Sequence, residues 1–299
     1  MQGVITKSQS GFYTVETQSG TYICQLRGKL KKGKPLGDIV AVGDRVVVSL
    51  IDQENGNIEK VLPRRSSFIR LAPSPKGEYQ QVIIANLDLA GFVFSCAQPA
   101  PRLSMLDRFL VIAEKNNVRC LIVANKIDLV SKKEATSFFE RYQKIGYELL
   151  YSSAKTGVGV KKLRKLLLGK ISLFTGPSGS GKSSLLNEVQ PGLGLQVRSV
   201  SRATEKGRHT TVVREMYPLD GGGYVADTPG LKALSLFDIE PEELDAYFPE
   251  MRSLVGDCAF SDCTHYHEPE CAVMDAVEAG KIHPERYLSY LKMRFEDEL

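Results

Sequence analysis

The sequence lacks a basic segment leading into an apolar one near its start, MQGVITKSQSG, so no signal peptide is expected. It also lacks an apolar run long enough to span a bilayer. The most apolar stretch, VIIANLDLAGFVFSC (82–96), is interrupted by Asn86 and Asp88 and is too short for a membrane helix. A cytoplasmic protein without membrane association is expected. A disulfide framework is not expected without a secretion signal. Of the six cysteines, Cys24, Cys96 and Cys120 stand alone in apolar, strand-like surroundings and read as buried core thiols. Cys258, Cys263 and Cys271 are clustered and need another explanation. There are no internal repeats.

What is present is room for two or three domains in 299 residues, with 25% charged and 42% hydrophobic residues, ordinary for a soluble globular chain. The net charge of +4 hides an asymmetry: +3 in residues 1–64 (nine basic, six acidic), −10 in 240–299 (five basic, fifteen acidic), and so +11 between them. A polyanion is attracted to the first two parts and repelled on average by the third.

Residues 1–64 read as five short strands, GVITKSQ, FYTVETQ, TYICQLR, DRVVVSLI and NIEKVL, with turn signals between them. Five strands in that length predict a small β-barrel, with the OB-fold as the natural candidate. The loop RGKLKKGK carries Arg27, Lys29, Lys31, Lys32 and Lys34. On such a barrel these are candidate nucleic-acid contacts, although a basic loop is equally readable as a solvated one. Residues 65–80, rich in proline, read as a linker. Over 81–236 continuous apolar runs (LAGFVFSC, RCLIVANK) alternate with helical patterns, including the basic amphipathic GVKKLRKLLLGK, which predicts an α/β domain with a mostly parallel sheet. Residues 237–299 read as a mostly helical, acidic part around the Cys/His cluster.

GPSGSGKSS follows an apolar strand and precedes a helical segment, the setting a phosphate-binding loop requires. Its residues Gly176, Pro177, Ser178, Gly179, Ser180, Gly181, Lys182, Ser183 and Ser184 are the expected phosphate contacts, with Ser183 on Mg²⁺. The loop alone names the phosphate and not the base, and it looks equally like those of transporter ATPases and nucleotide kinases. The base is named by Asn125, Lys126 and Asp128 in NKID: an aspartate accepts from guanine N1–H and the 2-amino group, donors that adenine does not offer. SSAK adds Ser153, Ala154 and Lys155 on the guanine side. Downstream, DTPG supplies Asp227 for Mg²⁺ and Gly230 for the γ-phosphate. The basic stretch SRATEKGRHTT between them has the character of a switch loop, with Thr210 or Thr211 as a further Mg²⁺ ligand and Arg202, Lys206 and Arg208 as candidate RNA contacts. These elements run base, base, phosphate, switch, switch. That order implies a circularly permuted GTPase domain, possible because all these sites converge at the carboxyl ends of adjacent strands.

With these motifs the chain resembles the circularly permuted GTPases, and among them the RsgA family of small-ribosomal-subunit biogenesis GTPases, over essentially its whole length. The resemblance implies an OB-fold, a permuted P-loop GTPase domain and a C-terminal zinc domain, with 30S-stimulated hydrolysis of GTP to GDP in late subunit maturation and rRNA binding. The residue after D-x-x-G is Leu231, which cannot orient the attacking water as glutamine does elsewhere. The resemblance points instead to His209.

CAFSDCTHYHEPEC offers Cys258, Cys263, His265 and Cys271, a closed set for one structural Zn²⁺, with His267 as a possible substitute ligand; the resemblance favours His265. A monomer is expected. Two other classes compete: a nucleotide-gated RNA-binding factor that uses hydrolysis only as a reset, and an ATP-driven transporter subunit or kinase. The guanine elements, and the lack of an L-S-G-G-Q signature, argue against the last.

Overall fold

The computed structural model describes residues 1–31, 37–74, 77–195, 214–227 and 239–295. Strands β1 (Gln2–Gln9), β2 (Phe12–Thr17), β3 (Gly20–Leu26), β4 (Arg45–Leu50) and β5 (Asn55–Val61) close on themselves in the order 1-2-3-5-4-1, with β3 and β5 parallel. This is OB-type connectivity. Alternation puts Ile5, Val15, Cys24, Val46, Val48 and Ile58 inside the barrel.

The stretch expected as a linker is not open chain. β6 (Ser67–Ser74) pairs antiparallel with β7 (Gly77–Ala85) in a separate two-stranded sheet. Its apolar residues found burial: Phe68 and the consecutive Val82, Ile83, Ile84 and Ala85 are inside. Pro73 is tolerated because β6 has no strand on its other side among the described residues. The hairpin joins the parts on either side of it. Asp38 of the barrel accepts from Tyr79 Oη and the Val82 N–H, and the Ile69 N–H donates to Asn116 Oδ1 at 3.1 Å.

The α/β part runs β8 (Leu89–Ser95), α1 (Leu103–Lys115), β9 (Cys120–Asn125), α2 (Lys132–Lys144), β10 (Glu148–Tyr151), α3 (Val160–Leu167), β11 (Ile171–Thr175), α4 (Lys182–Val189), β12 (Arg214–Pro218) and β13 (Tyr224–Asp227). Its strand order is β10-β9-β8-β11-β13-β12, parallel except for β12. β8, β9 and β11 are buried at every residue, as strands covered on both faces must be. α1 and α2 cover the face that carries Ala90, Phe92, Phe94 and Ile122; α3 and α4 cover the face that carries Leu89, Val93, Leu121 and Val123. β12 also pairs with β1, so barrel and α/β sheet form one eleven-stranded sheet, with Lys7 bonded to Glu215 at 3.1 Å.

The C-terminal part holds α5 (Pro249–Arg252), α6 (Ala272–Glu278) and α7 (Pro284–Arg294) with short 3₁₀ turns. Its core includes Val111 of α1. Arg286 is buried against the same helix: its guanidinium donates to Asp107 at 2.7 Å and to both oxygens of Glu250 at 2.7 and 3.1 Å. Asp107 also accepts from Tyr142 Oη at 2.8 Å and Ser289 Oγ at 2.5 Å. Burial alone would disfavour the guanidinium charge; the attraction of Asp107 and Glu250 outweighs it and raises the Arg286 pKa.

Candidate nucleotide site and metal centre

The guanine and phosphate motifs meet at the carboxyl ends of β9, β10 and β11. β9 ends at Asn125, and Lys126 turns through a left-handed conformation (φ 61°) into the short turn that carries Asp128. Tyr151 of β10 pairs opposite Ala124, which brings Ser152 and Ser153 beside the NKID turn. Ser152 Oγ donates to Asn125 Oδ1 at 3.2 Å, and Asn125 Nδ2 donates to the Ser180 carbonyl at 2.9 Å. The buried Asn125 therefore ties the base-reading turn to the phosphate loop. Ser153 Oγ donates to Asp128 Oδ1 at 2.5 Å, fixing the rotation of the carboxylate. Lys126 donates to the Gln98 carbonyl; burial lowers its pKa, against the opposing pull of Asp128. Ala154 is half-buried against the α3–α4 core, and Lys155 is exposed.

Two glycines of the phosphate loop are required by space as well as by conformation. A Cβ on Gly176 (φ 148°) would stand 2.1 Å from the Val93 carbonyl, and one on Gly181 (φ 88°) 2.5 Å from Asn125 Nδ2. Pro177 and Gly179 are half-buried and Ser178 is exposed at the loop's crest. Ser180 is fully buried, and its hydroxyl is unpaired among the described residues. Lys182 Nζ donates to the carbonyls of Gly176 (2.9 Å) and Pro177 (3.1 Å), which holds the ammonium across the loop. Ser183 and Ser184 lie in the first turn of α4. Asp227 closes β13 opposite Phe174, next to the loop's start. The donor set of Ser183 and Asp227 is hard oxygen, the chemistry Mg²⁺ takes. Gly230, His209, Thr210, Thr211, Arg202, Lys206 and Arg208 lie outside the described residues, as do Lys32 and Lys34.

The cysteine cluster closes. The ligand atoms of Cys258, Cys263, His265 and Cys271 all lie within 4.8 Å of one another. His265 Nδ1 is 3.3 Å from Cys271 Sγ and 3.6 Å from Cys258 Sγ, and the two sulfurs are 4.0 Å apart. Those separations bracket the edges of a zinc tetrahedron, about 3.4–3.8 Å for bonds of ~2.1–2.3 Å. Asp245 Oδ2 lies 3.2 Å from His265 Nε2, leaving Nδ1 as the ligand atom. His267 is exposed and outside the cluster. Glu268 organises the ligand loop, accepting from the Thr264 N–H and hydroxyl and from the Tyr266 and His267 N–H groups. Burial opposes its ionisation, but these bonds outweigh burial and hold its carboxyl below the usual range. Burial pushes the Cys263 thiol up to about 12, so a thiolate at that position needs a cation beside it.

Of the basic-loop candidates, Arg27 and Lys29 are already engaged. Arg27 donates to both oxygens of Glu59 at 2.5 Å and Lys29 donates at 3.2 Å. The Arg27 bond first, then that from Ser49, depresses the Glu59 carboxyl to about 2. Lys31 closes the 3₁₀ turn Gly28–Lys31. The sequence analysis missed Gln98, Ser152, Asp245 and the Asp107–Arg286 pair. Ser152, the first residue of SSAK, is the one with a local signal.

A parallel sheet whose base-reading turn precedes its phosphate loop in the chain and bonds to it in space defines a circularly permuted P-loop GTPase. The sequence model of the RsgA GTPase matches residues 61–237, and that of the RsgA N-terminal domain matches residues 2–58. A protein of Gemmatimonas aurantiaca named small ribosomal subunit biogenesis GTPase RsgA is 43% identical over 298 residues, 98% of this chain and 96% of that protein. Its namesake from Moorella thermoacetica is 42% identical over 291 residues, 97% and 95% of the two chains. Among solved structures, YjeQ from Thermotoga maritima is 38% identical with a TM-score of 0.80, covering 99% of this chain and 97% of that one. YloQ, described as a circularly permuted GTPase, is 32% identical with a TM-score of 0.74, covering 99% and 94%. The chain belongs to the RsgA GTPase family.

Proposed function

We propose that this GTPase binds the 30S ribosomal subunit through rRNA and hydrolyses GTP to GDP and phosphate during late maturation of that subunit. The observation that carries the reading is the Asn125–Ser180 bond, which joins guanine-reading and phosphate-binding loops displaced in chain order. In this reading Asp128 selects guanine, with Ser153 and Ala154 beside it. Lys126 and Lys155 flank the base, and Lys182 with the loop N–H groups of 176–184 holds the phosphates. Mg²⁺, when bound, neutralises charge developing on the β- and γ-phosphate oxygens. Ser183, Asp227 and one of Thr210 and Thr211 are its ligands. Gly230 senses the γ-phosphate, and His209 orients the attacking water in place of the glutamine that Leu231 replaces. Cys258, Cys263, His265 and Cys271 hold one structural Zn²⁺.

The functional units are the barrel (1–64), the GTPase domain (81–236) and the zinc part (237–299), with the hairpin segment between the first two. Arg27, Lys29, Lys31, Lys32 and Lys34, with Arg202, Lys206 and Arg208, contact rRNA. The protein acts as a monomer in the cytoplasm. Among the described residues no helix is long and apolar enough to cross a membrane.

The test is GTP turnover of the wild type and of His209→Ala with 30S subunits, with 50S subunits and with neither. Stimulation by 30S alone, lost in the variant at unchanged GTP affinity, is expected. Equal turnover in all three conditions would remove the ribosomal reading, and an unaffected variant would remove His209.

A further inference from the structure

From Leu149 to Asn187 the chain has no acidic residue and seven basic ones. Four of these, Lys161, Lys162, Arg164 and Lys165, lie within the eight residues of α3, and all four are exposed. At 3.6 residues per turn they span an arc of about 160°, opposite the buried Leu163 and Leu167. None of the four has an ion-pair or side-chain hydrogen-bond partner among the described residues. Elsewhere exposed cations are met by acids, as in Arg119 with Glu148, Lys144 with Glu140 and Arg252 with Glu114.

The placement of α3 adds direction. It packs with α4 on the sheet face opposite α1, and α1 carries the C-terminal part with its charge of −10. The molecule therefore turns an uncompensated cationic helix one way and its acidic part the other. α3 is also fastened to the guanine loop, since the Leu163 N–H bonds the Gly159 carbonyl and the Ser153 N–H bonds the Val158 carbonyl.

We propose that the outer face of α3 is an RNA-docking surface that takes the phosphate backbone through Lys161, Lys162, Arg164 and Lys165. Its residues are other than those named in the barrel loop and the switch stretch, and it rests on the RNA-binding reading above. An anionic membrane is the poorer occupant. Interfacial helices insert an apolar face, and the one on α3 is spent on the core as Leu163 and Leu167.

The experiment replaces all four residues by glutamine in the full chain. It compares binding to 30S subunits, to a synthetic RNA duplex and to phosphatidylglycerol vesicles across a salt series. Basal GTP turnover should be unchanged, because none of the four belongs to the nucleotide site. RNA affinity should fall about tenfold or more near physiological salt, and the log–log salt slope should drop by roughly three to four, about one per lost phosphate contact. A variant with Lys161, Lys162 and Lys165 replaced by arginine should bind as the wild type does. Glutamine and wild-type proteins with the same RNA affinity and slope overturn the proposal, as does α3-dependent binding to vesicles but not to RNA. Wild type that binds the duplex through α3 yet ignores 30S supports this surface and overturns the ribosomal reading. Wild type that binds neither RNA overturns both.

Discussion

At Gly181 one methyl group separates a working phosphate loop from a blocked one. The added Cβ would meet the Asn125 amide, the group that bridges the base and phosphate loops, and would also have to sit at positive φ. Gly181→Ala should therefore weaken GTP and GDP binding at least tenfold while the fold survives, because the strain is local to two loops. Nucleotide titration alongside circular dichroism checks this; wild-type affinity in the variant would show that the bridge is dispensable. Glu59 works differently. By engaging Arg27 and Lys29 it reduces the charge that the barrel loop presents, so a count of lysines and arginines overstates that loop's free charge. The count on α3 does not mislead in this way, because no acid lies near it in the chain.

Among the elements, α1 joins two parts of the molecule. One side packs on the sheet through Leu106, Phe109 and Leu110, and Val111 joins the C-terminal core. Asp107 fixes the register between the two by accepting from Arg286, Ser289 and Tyr142. A buried ionic cluster of this kind stabilises little against an apolar replacement of the whole cluster, but losing one member strands a buried charge. Asp107→Ala should cost about 3–5 kcal/mol in urea unfolding. A loss below ~1 kcal/mol would show that Val111 and its neighbours dock the part unaided. The hairpin of β6 and β7 was hidden in the sequence for a related reason. Its prolines read as punctuation, while its apolar run over residues 82–85 is buried only against a barrel and a helix remote in the chain.

For the molecule as a whole, permutation has a mechanical consequence. β13, which ends at Asp227, is followed in the chain by the C-terminal part, described from residue 239, and that part docks on α1, the helix that follows β8. The Cys/His cluster sits in the same core as this contact, since Cys263 and Cys271 pack with Phe248, Tyr290 and Val111. With the proposed zinc bound at this cluster, its removal by a chelator should therefore expose buried thiols and destabilise the α1 contact, while the barrel keeps its fold. Hydrogen exchange should rise in 239–295 and at α1, with β1–β5 unchanged. Exchange confined to the ligand loop would sink this account. Chelation should also be easier as pH falls, because protons compete with the metal for the thiolates.

The nucleotide chemistry was legible in the sequence because each motif is a short run of backbone and side chains acting together: NKID, SSAK and GPSGSGKSS each sit at the end of one strand. Their reversed order identified the permutation before any coordinates were needed. The spacing of Cys258, Cys263 and Cys271 likewise pointed to a cluster able to hold a metal, though only the fold placed His265 in it and His267 outside. Only the tertiary structure could decide which cations are free, which helix carries the C-terminal part, and that Asn125 holds two loops together. Those outcomes depend on partners 27 to 182 residues away in the chain. Sequence reports what a residue can bond to, and folding alone determines which partner is within reach.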